Sequence, residues 1–272
     1  MKKFFYCIFF ASTLCFTSSC SQEESTPASD TKIMVNLGTD MTFKSGNAGK
    51  ERTTRAIDED TYTDIRNYTV KLTKSETGEV IQSALYSDWE LAYEVEPGVS
   101  YTLSASYGQT EPASYDNLLV SGSETFTVQA GSTKTISFQC KPKAAKVNVV
   151  YSEDFSNFFS DCIVSIRTKH MDEAWQMAKA DEGKDLYLQT DDTESVELSF
   201  DIKDLNGESV SPEGFTGTKT VSVTPQTLLK LTIKPDVTEI EGGKFGINVS
   251  VNTDVVDEDV NITIPNDIFA QE

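Results

Sequence analysis

The chain has 272 residues, 38% of them hydrophobic and 10% aromatic, enough for two domains of ordinary size with packed cores. Its formal net charge is −20, and loss of Lys2 and Lys3 with a processed N-terminus leaves −22. Such acidity repels phosphate backbones and anionic lipid, so it argues against nucleic acid as a partner and against membrane attachment through a basic patch; its plainest use is a soluble, non-sticky surface.

Lys2 and Lys3 lead into an apolar run from Phe4 to Phe16, followed by Thr17-Ser18-Ser19 and then Cys20. A basic start, a short apolar stretch and small residues make a secretory signal, too short to span a bilayer as a helix. With Cys20 directly behind the small residues, the segment resembles a bacterial lipobox in which Thr17 stands where most carry Leu. The resemblance implies cleavage between Ser19 and Cys20, and a Cys20 thiol that carries lipid such as palmitate as the first mature residue. Ser21-Gln22-Glu23-Glu24 resembles the acidic export tag that sends lipoproteins of the Bacteroidetes to the outer face of the outer membrane. The expected organisation is a signal peptide (1–19), a lipidated flexible tether rich in Ser, Thr, Glu and Pro (20–31), and two β-sandwiches (32–142 and 143–272).

The elements along the chain have period two. Tyr68, Val70 and Leu72 alternate with polar residues, and Ser75-Glu76-Thr77-Gly78 turns the chain into a strand over 80–86. Leu91, Tyr93 and Val95 alternate up to the Pro97-Gly98 turn, and Val99, Tyr101, Leu103, Ala105 and Tyr107 follow. Phe126 and Val128 form a short strand, Gly131 turns, and Ile136, Phe138 and Cys140 form the next. Lys141-Pro142-Lys143 reads as the hinge between domains. Val147, Val149 and Tyr151 open the second half, and the i, i+3, i+4 spacing of Phe155, Phe158 and Phe159 predicts one amphipathic helical turn. Val196, Leu198, Phe200 and Ile202 alternate before Asn206-Gly207, a type I′ hairpin signal. Strands around Val221, Leu231, Val249 and Ile262 complete an all-β pattern whose turn spacing suits sandwiches.

Gly122-Ser123-Glu124-Thr125-Phe126-Thr127-Val128 with Ile136 to Pro142 is echoed by Gly217-Thr218-Lys219-Thr220-Val221-Ser222-Val223 with Leu229 to Pro235. Each passage reads as a hairpin closing a sandwich and ending at a proline that cannot donate to a ladder. The echo predicts two related sandwiches in tandem. Of the five cysteines, Cys140 and Cys162 remain beside Cys20 after processing. Both lie in apolar stretches, where cysteine acts as a small buried hydrophobe, although the expected compartment permits a bridge.

Thr53-Thr54-Arg55-Ala56, Tyr68 to Leu72, Val95-Glu96-Pro97-Gly98-Val99-Ser100-Tyr101-Thr102-Leu103-Ser104-Ala105 and the Gly122 passage together resemble a family of Bacteroidetes lipoproteins whose domain has no assigned function. More distantly the chain is similar to the fimbrillin superfamily of fimbrial shaft, anchor and tip subunits. The resemblance implies two transthyretin-like, Greek-key β-sandwiches. It also implies a surface location and assembly by β-augmentation, after a protease cuts behind an arginine near the N-terminus. Arg52 and Arg55 lie in a loop-like stretch where such a cut leaves the cores closed, although ordinary arginines of an exposed loop read the same way.

Chemistry is thinly supplied. His170 is the only histidine, which leaves no His-rich zinc site, and neither a nucleophile elbow nor a P-loop is present. The 43 acidic residues make a pair of glycosidase carboxylates easy to draw and therefore uninformative. Asp254, Asp257 and Asp259 offer weak oxygen ligands for calcium, an Asp-rich turn being the commoner use of such a run. Trp89, Trp175 and Tyr115 are candidates for stacking on a sugar ring, against the alternative of core packing. The expected function is a non-enzymatic surface lipoprotein without a cofactor, held to the outer membrane by lipid and acting in fimbrillin-like adhesion or surface assembly with other surface proteins. The alternative is a glycan-binding lipoprotein beside a carbohydrate-uptake system.

Overall fold

The computed structural model describes residues 30–44, 59–210, 219–240, 244–252 and 257–264, with the backbone alone for residue 210 and from residue 236 onward. The first run of strands is β1 (Lys32–Thr39), β2 (Thr69–Lys74), β3 (Val80–Leu85), β4 (Tyr93–Glu94), β5 (Ser100–Tyr107), β6 (Ala113–Ser114), β7 (Val120–Thr127) and β8 (Thr133–Pro142). The second is β9 (Ala144–Tyr151), β10 (Asp161–Arg167), β11 (Trp175–Met177), β12 (Asp185–Gln189), β13 (Glu194–Lys203), β14 (Ser209–Val210), β15 (Lys219–Val223) and β16 (Leu228–Ile240), extended by β17 (Lys244–Asn252) and β18 (Asp257–Ile264). Apart from short 3-10 turns the described chain is all β, as the period-two pattern requires.

The two runs repeat one pairing scheme. In the first, β2 pairs with β3 and β5, β5 pairs with β7, and β1 lies antiparallel to β4 but parallel to β8. In the second, β10 pairs with β11 and β13, β13 pairs with β15, and β9 lies antiparallel to β12 but parallel to β16. Each scheme encloses its own core. Ile33, Tyr68, Leu72, Leu103, Val120 and Ile136 fill the first, and Val147, Phe155, Cys162, Ile166, Leu198 and Leu231 fill the second. These are two β-sandwiches in tandem.

The echoed passages occupy equivalent places, but neither is a hairpin. β7 meets β8 only at Val120↔Pro142 and Ser121↔Lys141, and β15 and β16 belong to different sheets. β7 and β8 are neighbours in one sheet that pair only at their far ends, whereas the second passage crosses from one sheet to another. Gly122 lies where β7 meets β8: a Cβ there would stand 2.4 Å from the carbonyl oxygen of Gln139, so only glycine lets the two strands approach.

Other expectations need correction as well. The Lys141-Pro142-Lys143 segment is no loose hinge, because Lys143 alone separates β8 from β9 and its N–H donates to Leu119 O at 2.8 Å. Leu91 is 89% exposed, since β4 is a two-residue edge strand that begins only at Tyr93. The Asn206-Gly207 hairpin forms, with Ile202↔Val210 paired, but Gly207 alone takes a positive φ. The turn is therefore not type I′, and Asp204 Oδ1 holds it by accepting from Asn206 N and Glu208 N. The helical turn at Phe155–Asn157 is present as a 3-10 turn, with Phe155 and Phe159 buried. Cys140 and Cys162 are free and buried, one in each core, so no bridge joins them. Burial pushes the Cys140 thiol up to about 12 and the Cys162 thiol higher still.

Candidate functional site

β1 was not singled out by its sequence, yet it lies next to the edge of its sheet, beside the two-residue β4. Ile33, Val35 and Leu37 give it a short alternating stripe, and Ile33 and Leu37 are buried at 0% and 4% exposure. All eight residues pair in parallel with β8, from Lys32↔Thr133 to Thr39↔Cys140, whereas only Lys32 and Ile33 pair with β4. Most of the far edge of β1 is therefore unpaired by β4. Tyr86 Oη reaches across to donate to Val35 O at 3.1 Å. Glu94 closes the start of the strand through Lys32, whose Nζ lies 3.6 Å away.

The segment leaving β1 is stitched to the second sandwich. Gln226, in left-handed backbone with φ 67°, donates through Nε2 to Asp40 O at 3.0 Å and Thr42 O at 2.9 Å. Lys44 forms a parallel bridge to Thr227, and Phe43 packs its ring 5.9 Å from that of Tyr187. Asp40 accepts from Thr42 N at 3.1 Å, and this hydrogen bonding holds its carboxyl below the ordinary value of 3.8.

Beneath this segment lies a buried ionic joint that sequence reasoning missed. Lys146 of β9 donates to Glu59, and its Nζ lies 3.3 Å from Asp185 Oδ2 of β12. Tyr187 Oη donates to Glu59 Oε1 at 2.6 Å, and Asn148 Nδ2 donates to Asp185 Oδ1 at 3.2 Å. The Phe43 ring covers the ammonium at 4.5 Å. Burial raises the Asp185 carboxyl, against the lowering effect of Lys146. The only sequence signal was a lysine in the apolar run Ala144 to Val150, where a charge demands a partner.

The candidates named from sequence fall in several places. Ser19, Cys20, Arg52, Arg55 and Asp254 lie outside the described residues. Asp257 and Asp259 belong to β18 rather than to a turn between strands. Trp89 and Trp175 are both half-buried, against different cores. Trp89 stacks at a tilt on Tyr93, 5.8 Å between ring centroids. Tyr115 and Trp175, 60 positions apart in sequence, meet edge to face at 5.2 Å, with Lys184 Nζ 5.3 Å from the Tyr115 ring centre. Tyr115 reaches this place because β6 leaves the first run and pairs with β12.

Residues 43–266 match the family model described as a domain of unknown function (DUF4493), most of the chain. The chain belongs to this family. β1 and Cys20 precede the stretch that defines it, whereas the ionic joint and the Tyr115–Trp175 pair lie within it. A search of the curated proteins finds no match. Among solved structures, the C-terminally truncated tip fimbrial protein Mfa3 of Porphyromonas gingivalis is similar at 11% identity and TM-score 0.44, over 84% of this chain and 100% of that one. The fimbrial anchor protein Mfa2 of the same organism is similar at 8% identity and TM-score 0.36, over 81% and 96%. A candidate cell adhesion protein from Bacteroides eggerthii is similar at 10% identity and TM-score 0.42, over 84% and 96%.

Proposed function

We propose that this DUF4493 member is a non-enzymatic lipoprotein of the outer-membrane surface, anchored through Cys20 and working in adhesion or surface assembly through the slot that β1 fills. The observation that carries this reading is the placement of β1. It is an eight-residue strand paired in parallel along β8, it buries Ile33 and Leu37, and it precedes the stretch that holds Arg52 and Arg55. A cut behind either arginine leaves β1 joined to the body by non-covalent contacts alone: its ladder to β8, its buried side chains and the contacts of residues 40–44. A strand of similar pattern from a second protein then has a ready groove, which is β-augmentation in its strand-replacement form. The pairing of β1 and the stitching of residues 40–44 also keep the lipid anchor attached after such a cut. N-terminal mass spectrometry of protein shaved from whole cells tests the reading. Mature termini just after Arg52 or Arg55, alongside the lipidated peptide from Cys20, are expected; an uncut chain in surface assemblies contradicts the exchange.

A second reading, glycan binding beside carbohydrate uptake, is favoured by the meeting of Tyr115 and Trp175 next to Lys184. The pair gives a half-exposed aromatic corner on which a sugar ring could stack. Loss of glycan retention in Trp175→Ala with unchanged stability supports it, and equal retention removes it.

A further inference from the structure

At one end of the second sandwich, two turns bring together three donor groups that sequence reasoning did not connect. His170 follows β10, Asp191 lies between β12 and β13, and Glu194 is the first residue of β13. His170 Nε2 lies 3.2 Å from Glu194 Oε2 and 3.7 Å from Asp191 Oδ2, and the three donor atoms all fall within 4.8 Å of one another. The Glu194 side chain is 1% exposed. Neither its Oε2 nor His170 Nε2 makes a hydrogen bond, although both atoms are buried and face each other. Thr190 Oγ1, in the same turn as Asp191, is likewise buried without a hydrogen bond.

These two buried polar atoms lack a hydrogen bond, and their desolvation cost is offset only by the exposed Lys169 ammonium, 3.3 Å from Glu194 Oε2. A cation between them removes it. Zinc takes histidine nitrogen at about 2.0–2.1 Å and carboxylate oxygen at about 2.0–2.2 Å in tetrahedral sites. The ligand–ligand edges of such a tetrahedron are about 3.3–3.5 Å, between the two separations of His170 Nε2 from the carboxylate oxygens. The geometry points to a divalent transition-metal site made by His170, Asp191 and Glu194, of the zinc class. An imidazole nitrogen with two carboxylate oxygens suits zinc better than calcium, which prefers six to eight oxygens. Beside the cluster, Glu194 and Lys169 line an open cleft of about 520 Å³ with Arg167, Thr168 and Ser195.

Lys169 supplies the countercharge in this structure. Its Nζ lies 2.5 Å from Asp191 Oδ2 and 3.3 Å from Glu194 Oε2. The side chain is 57% exposed, so it can swing into water when an ion enters. Lysine and metal thus compete for the same oxygens, and the proposal demands that removing the lysine not weaken the metal.

The test is zinc titration calorimetry on the full-length, detergent-solubilised chain after chelator treatment, with cobalt(II) absorption as a second readout. One zinc equivalent is expected. Its affinity should fall about tenfold or more in His170→Ala and in Asp191→Asn, at least as much as altering an outer-shell partner costs a metal site. Lys169→Ala should bind as tightly as the unaltered chain or more tightly. Cobalt(II) should show a visible ligand-field band that His170→Ala abolishes. Identical isotherms for the unaltered chain and His170→Ala, loss of binding in Lys169→Ala, or displacement of zinc by millimolar calcium would each overturn the proposal.

Discussion

Leu37 and Ile33 hold β1 in place through burial alone, because neither bears a polar group. Truncating Leu37 to alanine removes buried methyl groups and leaves a cavity, so chemical denaturation should show a loss of about 2–5 kcal/mol. Gly122→Ala should also destabilise, by about 1–3 kcal/mol, because its new methyl group meets the Gln139 carbonyl. Lys146 behaves differently. Its replacement by methionine leaves Glu59 and Asp185 buried without their cation, and breaking such a group costs about 3–5 kcal/mol. Asp40 gives the segment behind β1 a dependence on pH. Its folded-state carboxyl titrates below 3.8, so its contribution is complete above that value and is lost as pH falls through the lowered one. Asp40→Asn should flatten that part of the stability profile in acid denaturation. These residues were unevenly legible in sequence. Gly122 stood out through its echo at Gly217, but the reason for it, a close approach of β7 to β8, needed the pairing. Glu59, Lys146 and Asp185 lie far apart in sequence, and no local pattern announces a partner at such distance.

Among the elements, alternation located most strands and the turn residues located most ends. It missed β11, whose three residues are too few to show a period. β4 was expected through Tyr93 but has only two residues, and β9 was found through Val147, Val149 and Tyr151 although six consecutive positions are buried. β1 escaped notice because it sits directly behind a polar tether. The echoed passages were recognised as related and misread as hairpins, since sequence records strand pattern but not strand partner. In both sandwiches the partner is a parallel neighbour far off in sequence, β1 for β8 and β9 for β16. That arrangement joins β1 to β8 through strand pairing rather than through a connecting turn. Gly38 pairs with Gln139 across the two strands. Gly38→Cys with Gln139→Cys should therefore form a disulfide within one chain, because paired strands lie about 4.7–4.9 Å apart and disulfides need Cα atoms about 4.4–6.8 Å apart. A non-reducing gel after proteolysis checks this staple.

For the molecule as a whole, the proposed lipid at Cys20 would hold the two sandwiches at the membrane. Fatty-acid labelling should mark the chain and spare Cys20→Ala, with the unlabelled variant appearing in the soluble fraction. The sequence announced the fold class through its periodicity. It also announced the tandem arrangement through its echo. It could not announce the aromatic corner or the His170 cluster, because each is assembled from turns that meet only once the sheets have formed.

Exchange of β1 between copies is the claim on which the functional reading turns, and a mixed-chain disulfide measures it. One preparation carries Gly38→Cys and the other Gln139→Cys, each cut behind Arg55 and then combined under oxidising conditions. Strand replacement predicts covalent dimers that contain one chain of each kind and that vanish when the stapled double variant is used. Monomers alone, from cut chains whose own β1 has been released, would contradict it.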